Sequence, residues 1–113
     1  MSFALTTDQV RAHSKTVTRR VGWRFAKVGD VVQPVLKAQG LKKGEKVQRI
    51  GGPIRFTAVD RVVLADISTV DVYHEGFPAM TQREFIEMFK KANGGLRDQV
   101  VTRIAFEYLA ETP

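Results

Sequence analysis

Ile54-Arg55-Phe56-Thr57-Ala58-Val59-Asp60-Arg61-Val62-Val63-Leu64 is the longest strand candidate in the chain. Ile54, Phe56 and Ala58 alternate with Arg55, Thr57 and Val59, the two-residue period of a pleated strand. After Asp60 the phase changes to Val62-Val63-Leu64, which predicts a bulge or burial on both faces. Upstream, Gly51-Gly52-Pro53 is a break, and Val47 to Ile50 before it reads as a short strand. Residues 40–46, GLKKGEK, are polar and punctuated by glycine, hence a loop.

Further out, the turn Gly29-Asp30 leads into the apolar run Val31 to Leu36. Pro34 has no N–H for a ladder, so that strand belongs at an edge or carries a bulge. Val17 to Val21 is rich in β-branched residues and reads as a strand with Val17 and Val21 facing the core. Ser2 to Leu5 is a candidate first strand. Val100 to Leu109 closes the set, with Val100, Thr102, Ile104, Phe106 and Tyr108 on one face.

Three short helices punctuate these strands. Thr7 is the expected N-cap of a helix over residues 7–13, with Asp8 at its positive end. Ser68-Thr69-Val70-Asp71 has capping-box spacing and predicts a helix over 68–74 that stops at Gly76. Thr81-Gln82-Arg83-Glu84 is a fuller capping box. It opens a helix over 81–92 whose apolar face is Phe85, Met88, Phe89 and Ala92, ended by Asn93-Gly94-Gly95. The fold class expected is α+β: one domain, residues 1–113, built as a small mixed β-barrel of about six strands with three short helices.

Composition narrows the function classes. The chain has 113 residues, 43% of them hydrophobic, enough for a core without covalent staples. There is no cysteine, which excludes disulfides and thiolate metal sites. The N-terminus lacks the pattern of a secretory signal, and no apolar run approaches the ~20 residues that span a bilayer. The expected location is therefore cytoplasmic, with no membrane partner. Net charge is +6 but unevenly spread: residues 11–61 carry thirteen Lys/Arg against three acids, whereas residues 62–113 carry five against eight. Such a field favours polyanions, and Arg24, Lys42, Lys43, Lys46 and Arg49 are the expected nucleic-acid contacts. The plainer account is a surface kept soluble by charge.

His13-Ser14-Lys15-Thr16-Val17-Thr18-Arg19-Arg20 is the most unusual stretch. It gathers an amine, hydroxyls and two guanidinium groups where a helix passes into a strand. Lys15 beside Thr18 would pair an amine base with a hydroxyl nucleophile, once burial and nearby arginines lower the amine pKa from about 10.4. The alternative is a basic strand edge that discourages aggregation, and spacing alone favours it. Glu75 sits at a helix end, where the dipole is unfavourable to it. Trp23, between Arg20 and Arg24, is either a base-stacking ring or part of the core. His13 and His74 lack partners at metal-ligand spacing, so neither a metal nor another cofactor is expected.

The run Ser14 to Arg20 resembles the lysine-x-x-polar-x-arginine signature of ASCH domains, a branch of the PUA-like barrels, in which it follows the first helix. Gly29-Asp30 before an apolar strand, and His74-Glu75-Gly76 after a short capped helix, match that family in order along nearly the whole chain. The resemblance implies a PUA-like barrel that handles nucleic-acid bases. Some small members are amidohydrolases that remove the acyl group of N4-acetylcytidine, using a lysine, a threonine three residues on, and a glutamate after a helix. By position these are Lys15, Thr18 and Glu75, with Arg19, Arg20 and Trp23 as substrate contacts. Many ASCH domains carry glutamate at the position of Thr18, so the threonine leans toward the hydrolases. His13 replaces a glycine common in the family, and the loop around Lys42-Lys43 is longer than in the smallest hydrolases. The expected ligand is thus a modified nucleoside or RNA. A non-catalytic RNA-binding module is the alternative, and a ribonuclease the third.

Overall fold

The computed structural model describes residues 1–37, 44 and 46–110. Its centre is an antiparallel sheet of four strands in the order β1-β4-β3-β2, where β1 is Val17–Arg20, β2 Val31–Val32, β3 Ile54–Val63 and β4 Val100–Tyr108. The helices are α1 (Thr7–Arg11), α2 (Thr69–His74) and α3 (Gln82–Asn93), and 3-10 turns occupy Ala4–Thr6 and Leu64–Asp66.

β3 and β4 form the backbone of the sheet, paired from Ile54↔Tyr108 to Val63↔Val100. The irregularity expected after Asp60 lies earlier, between Phe56 and Ala58. Thr57 is the extra residue of this bulge, so Ala58 pairs with Ala105 and turns to the face opposite Phe56. Val59 takes the place on the Phe56 face that strict alternation would give to Ala58. It packs with Ile54, Phe56, Ile104 and Phe106.

About six strands were expected; among the described residues there are four, together with isolated bridges at Ser2–Val35 and Val35–Arg49. Ser2 to Leu5 gives only the Ser2 bridge, because Ala4–Thr6 winds into a 3-10 turn. Val31 to Leu36 keeps two residues of ladder before Pro34 interrupts it, and β2 is an edge strand as Pro34 requires. Val47 to Ile50 contributes only the Arg49 bridge. The N-cap of α1 is Thr6, since the Thr7 hydroxyl instead donates to the Phe3 carbonyl at 2.9 Å. Val21 is 53% exposed, because β1 ends at Arg20 and the chain turns away.

The two later helices start where their boxes place them. Ser68 Oγ accepts from the Asp71 N–H, and Thr81 and Glu84 exchange side-chain and backbone hydrogen bonds. Gly94 ends α3 at a φ of 78°. Apolar burial divides into two clusters. Phe3, Val10, Ile50, Ile54, Phe56, Ile104 and Phe106 pack on one side. Leu64, Ile67, Val72, Phe85, Ile86, Phe89 and Val101 join α2 and α3 to the far end of β4. Polar groups are buried at the seam between them.

Candidate active site

Lys15 is delivered to the seam by the end of α1. His13 adopts a left-handed φ of 59°, and the N–H groups of Ser14 and Lys15 both donate to the Gln9 carbonyl, at 2.9 and 3.4 Å. That tight exit turns Lys15 inward. His13 fills a position that favours glycine, and its ring stacks on Tyr108 with centroids 4.0 Å apart. The Tyr108 hydroxyl donates to the Lys15 carbonyl, and burial pushes its pKa up to about 12. Glu75 arrives from the other side as the C-cap of α2. Gly76 follows at a φ of 103°, and a Cβ there would stand 2.9 Å from Gln9 Cγ. A glycine is what lets α1 and the end of α2 come this close. The Thr16 N–H then donates to the His74 carbonyl at 2.8 Å and fixes the two segments together.

The charges meet in one network. Lys15 Nζ donates to Glu75 Oε1 at 2.9 Å and to the Glu75 carbonyl at 2.8 Å. Arg19 bridges two carboxylates, reaching Glu75 Oε2 at 3.1 Å and Asp71 Oδ2 at 2.7 Å. Arg103 grips Asp71 with two bonds of 2.6 and 2.9 Å. Arg19 and Arg103 face each other across the β1–β4 ladder, an arrangement of like charges that is unfavourable alone. Asp71 neutralises it from above. Its carboxyl is held at about 2, first by the Arg103 hydrogen bonds and then by Arg19, against the opposing effect of burial.

Burial pushes the Lys15 amine below its usual range; Glu75 opposes this, while Arg20 and Arg19 add to it. Desolvation also lowers Arg20 to about 10. Arg20 Nε donates to Thr18 Oγ1 at 3.0 Å, and its guanidinium lies 4.7 Å from the centre of the Phe3 ring. Arg19 Nε is the one buried side-chain polar atom without a partner among the described residues.

These groups border a cavity of about 480 Å³. Lys15, Thr18, Arg19, Arg20 and Glu75 make its polar side, and Phe3, Phe77, Phe85, Met88 and Phe89 belong to the rest of its wall. Thr18, Arg19 and Arg20 alternate faces of β1 yet all line it, so the cavity runs along the free edge of that strand. It occupies the seam between the two apolar clusters, touching Phe3 of one and Phe85 and Phe89 of the other. Amine, hydroxyl, guanidinium and carboxylate groups in such a place suit acyl transfer or recognition of a polar planar ligand.

The three residues expected to be catalytic therefore line one space, although Glu75 comes from 60 positions beyond Lys15. No hydrogen bond joins Lys15 to Thr18; each is engaged elsewhere, with Glu75 and Arg20. Of the residues expected to contact substrate, Arg19 and Arg20 line the cavity, whereas Trp23 lies outside it, edge-on to Phe56 at 6.4 Å. Arg24, Lys46 and Arg49 are exposed, and Lys42 and Lys43 fall outside the described residues. Asp71 and Arg103 were not singled out from sequence. A signal existed: Asp71 and Glu75 are acids four apart, one within a short helix and one at its end, an unfavourable pair unless a cation lies between them.

No family model matches the chain, and no curated protein matches it significantly. Among solved structures, the fold is similar to the crystal structure of protein EF3133 from Enterococcus faecalis V583, of the family model DUF984. The likeness has a TM-score of 0.66, covers 93% of this chain and 70% of that one, and comes with 17% sequence identity. At that identity it establishes a shared fold: a small α/β domain with a curled antiparallel sheet and helices packed against it.

Proposed function

We propose that this protein is a metal-independent amidohydrolase that removes the acyl group from N4-acetylcytidine or a related modified base, with the ASCH type of PUA-like barrel as its fold. The observation that carries the reading is the meeting of Lys15, Thr18 and Glu75 at one cavity, from segments 60 residues apart. Element order supports the fold assignment: helix, lysine motif, strand, and later a capped helix ending at Glu75.

Thr18 Oγ1 attacks the amide carbonyl, and Lys15 takes the hydroxyl proton. Burial favours this by lowering the amine pKa. Arg20, donating to Thr18 Oγ1, orients the hydroxyl and stabilises its developing negative charge. Arg19, which lines the cavity, steadies the carbonyl oxygen as it becomes an oxyanion. Glu75, in contact with Lys15, relays the proton to the departing N4 amine. The C–N bond breaks, cytidine leaves, and water hydrolyses the threonyl ester to free the carboxylic acid and restore Thr18.

The test is incubation with a panel of N4-acylated cytidines and cytosines, followed by ultraviolet absorbance. Thr18→Ala and Lys15→Ala each lower the rate by at least ~100-fold, and Glu75→Gln reduces it. Lys15→Arg is the control, because a guanidinium cannot give up a proton near neutral pH. Full activity in Lys15→Arg removes Lys15 as the base. A wild-type protein that cleaves none of the panel yet binds RNA is a binding module instead.

A further inference from the structure

Ten residues after Lys15, the chain holds a large aromatic ring out in solvent. Phe25 is 70% exposed, flanked by exposed Arg24 and Lys27 and by Val21 at 53% and Val28 at 66%. The loop that carries it is fixed at both ends. The Gly22 carbonyl accepts from Thr102 Oγ1 and from Arg61 at 3.2 Å, and Gly29 N donates to the Phe56 carbonyl at 2.8 Å. Within it, Ala26 N donates to the Trp23 carbonyl at 3.1 Å and Lys27 N to the Asp30 carboxylate at 2.9 Å. Trp23 has a left-handed φ of 53°, right after Gly22 at 78°, a conformation disfavoured for a bulky residue. Anchored on Phe56, it supports Phe25 from beneath with ring centroids 5.0 Å apart.

A rigid loop that spends backbone strain to expose a ring is built for an outside contact. Charge selects the partner. No acid occurs from Gln9 to Gly29, and the Asp30 carboxylate is already engaged with the loop backbone. The occupant is thus a polyanion, and the ring asks for one with π faces beside its charges. None of residues 21–29 lines the cavity. We propose that this loop docks single-stranded RNA, Phe25 stacking an unpaired base while Arg24 and Lys27 hold the adjoining phosphates.

Trp23 is the single tryptophan and so reports directly on its neighbour. Titration with a 12-nucleotide oligouridylate at low salt quenches its fluorescence saturably. Phe25→Ala weakens binding by between about 5- and 100-fold, and Phe25→Tyr keeps it. Arg24→Glu with Lys27→Glu lowers affinity and flattens its salt dependence. Unchanged melting temperatures show that the variants remain folded. The proposal is overturned if the oligonucleotide gives no quenching, or if Phe25→Ala binds it as well as wild type. It is equally overturned if phosphatidylserine vesicles, and not the oligonucleotide, bind in a Phe25-dependent way.

Discussion

Replacing Asp71 by Asn keeps the backbone N–H that Ser68 caps, and removes only the charge between Arg19 and Arg103. A carboxyl brought from 3.8 to about 2 holds at most about 2–3 kcal/mol of stability at neutral pH. Arg103 has a side chain 23% exposed, so solvent screens part of this, and a loss of about 1–2 kcal/mol is expected. The folded pKa is depressed, so the contribution is complete above pH ~4 and fades as pH falls toward 2. Urea denaturation at pH 7 and pH 3 measures it. The gap between wild type and Asp71→Asn should narrow by roughly half at the lower pH. A gap that is equal at both pH values, or no gap at pH 7, refutes the ionised clamp.

Gly76→Ala combines a strained φ with a Cβ 2.9 Å from Gln9 Cγ, so it should cost more than about 1 kcal/mol in denaturant unfolding. Adding Gln9→Ala removes the Cγ contact but leaves Gln9 Cβ 3.1 Å away, so it should recover only part of the steric cost and none of the backbone part. His13→Gly relaxes a left-handed residue and deletes the stack on Tyr108, and these opposing effects should keep the change in stability within about 1 kcal/mol, read by thermal melting. Glu75→Gln leaves buried Lys15 without its carboxylate, so the amine should titrate at lower pH in the variant, followed by NMR of an isotopically labelled lysine side chain.

Local chemistry made the helices legible in the sequence. Thr81 with Glu84 and Ser68 with Asp71 are decided within four residues. The structure keeps the full box at Thr81 and the Ser68 cap, while the Asp71 carboxylate goes to Arg19 and Arg103 instead of back to Ser68. Strand phase was harder, because Thr57 enters β3 as an unpaired residue and nothing in Phe56-Thr57-Ala58 distinguishes it from its neighbours. Only the fit of Phe56 and Val59 to Phe106 and Ile104 decides where the bulge goes. The site followed the same division. Lys15 and Thr18 stand out by composition of a single stretch, whereas the role of Arg19 depends on two acids more than fifty positions away. The charge asymmetry was legible as a sum but not as a surface. Lys15 and Arg19 are buried in ion pairs, and Arg55 meets Glu107 at 3.1 Å.

The pairing of a basic first half with acids from the second has a kinetic consequence. Arg19 waits for Asp71 across 52 positions, Lys15 for Glu75 across 60, and the Lys15 carbonyl for Tyr108 across 93. Contacts this distant close late, after much chain entropy has been lost, and folding of such topologies is slow. Until then both cations remain hydrated, so desolvating them is part of the final docking step. Attraction between the oppositely charged segments lowers that barrier at low ionic strength, and salt screens it. Refolding should therefore slow as sodium chloride is raised, even where the folded protein is equally stable.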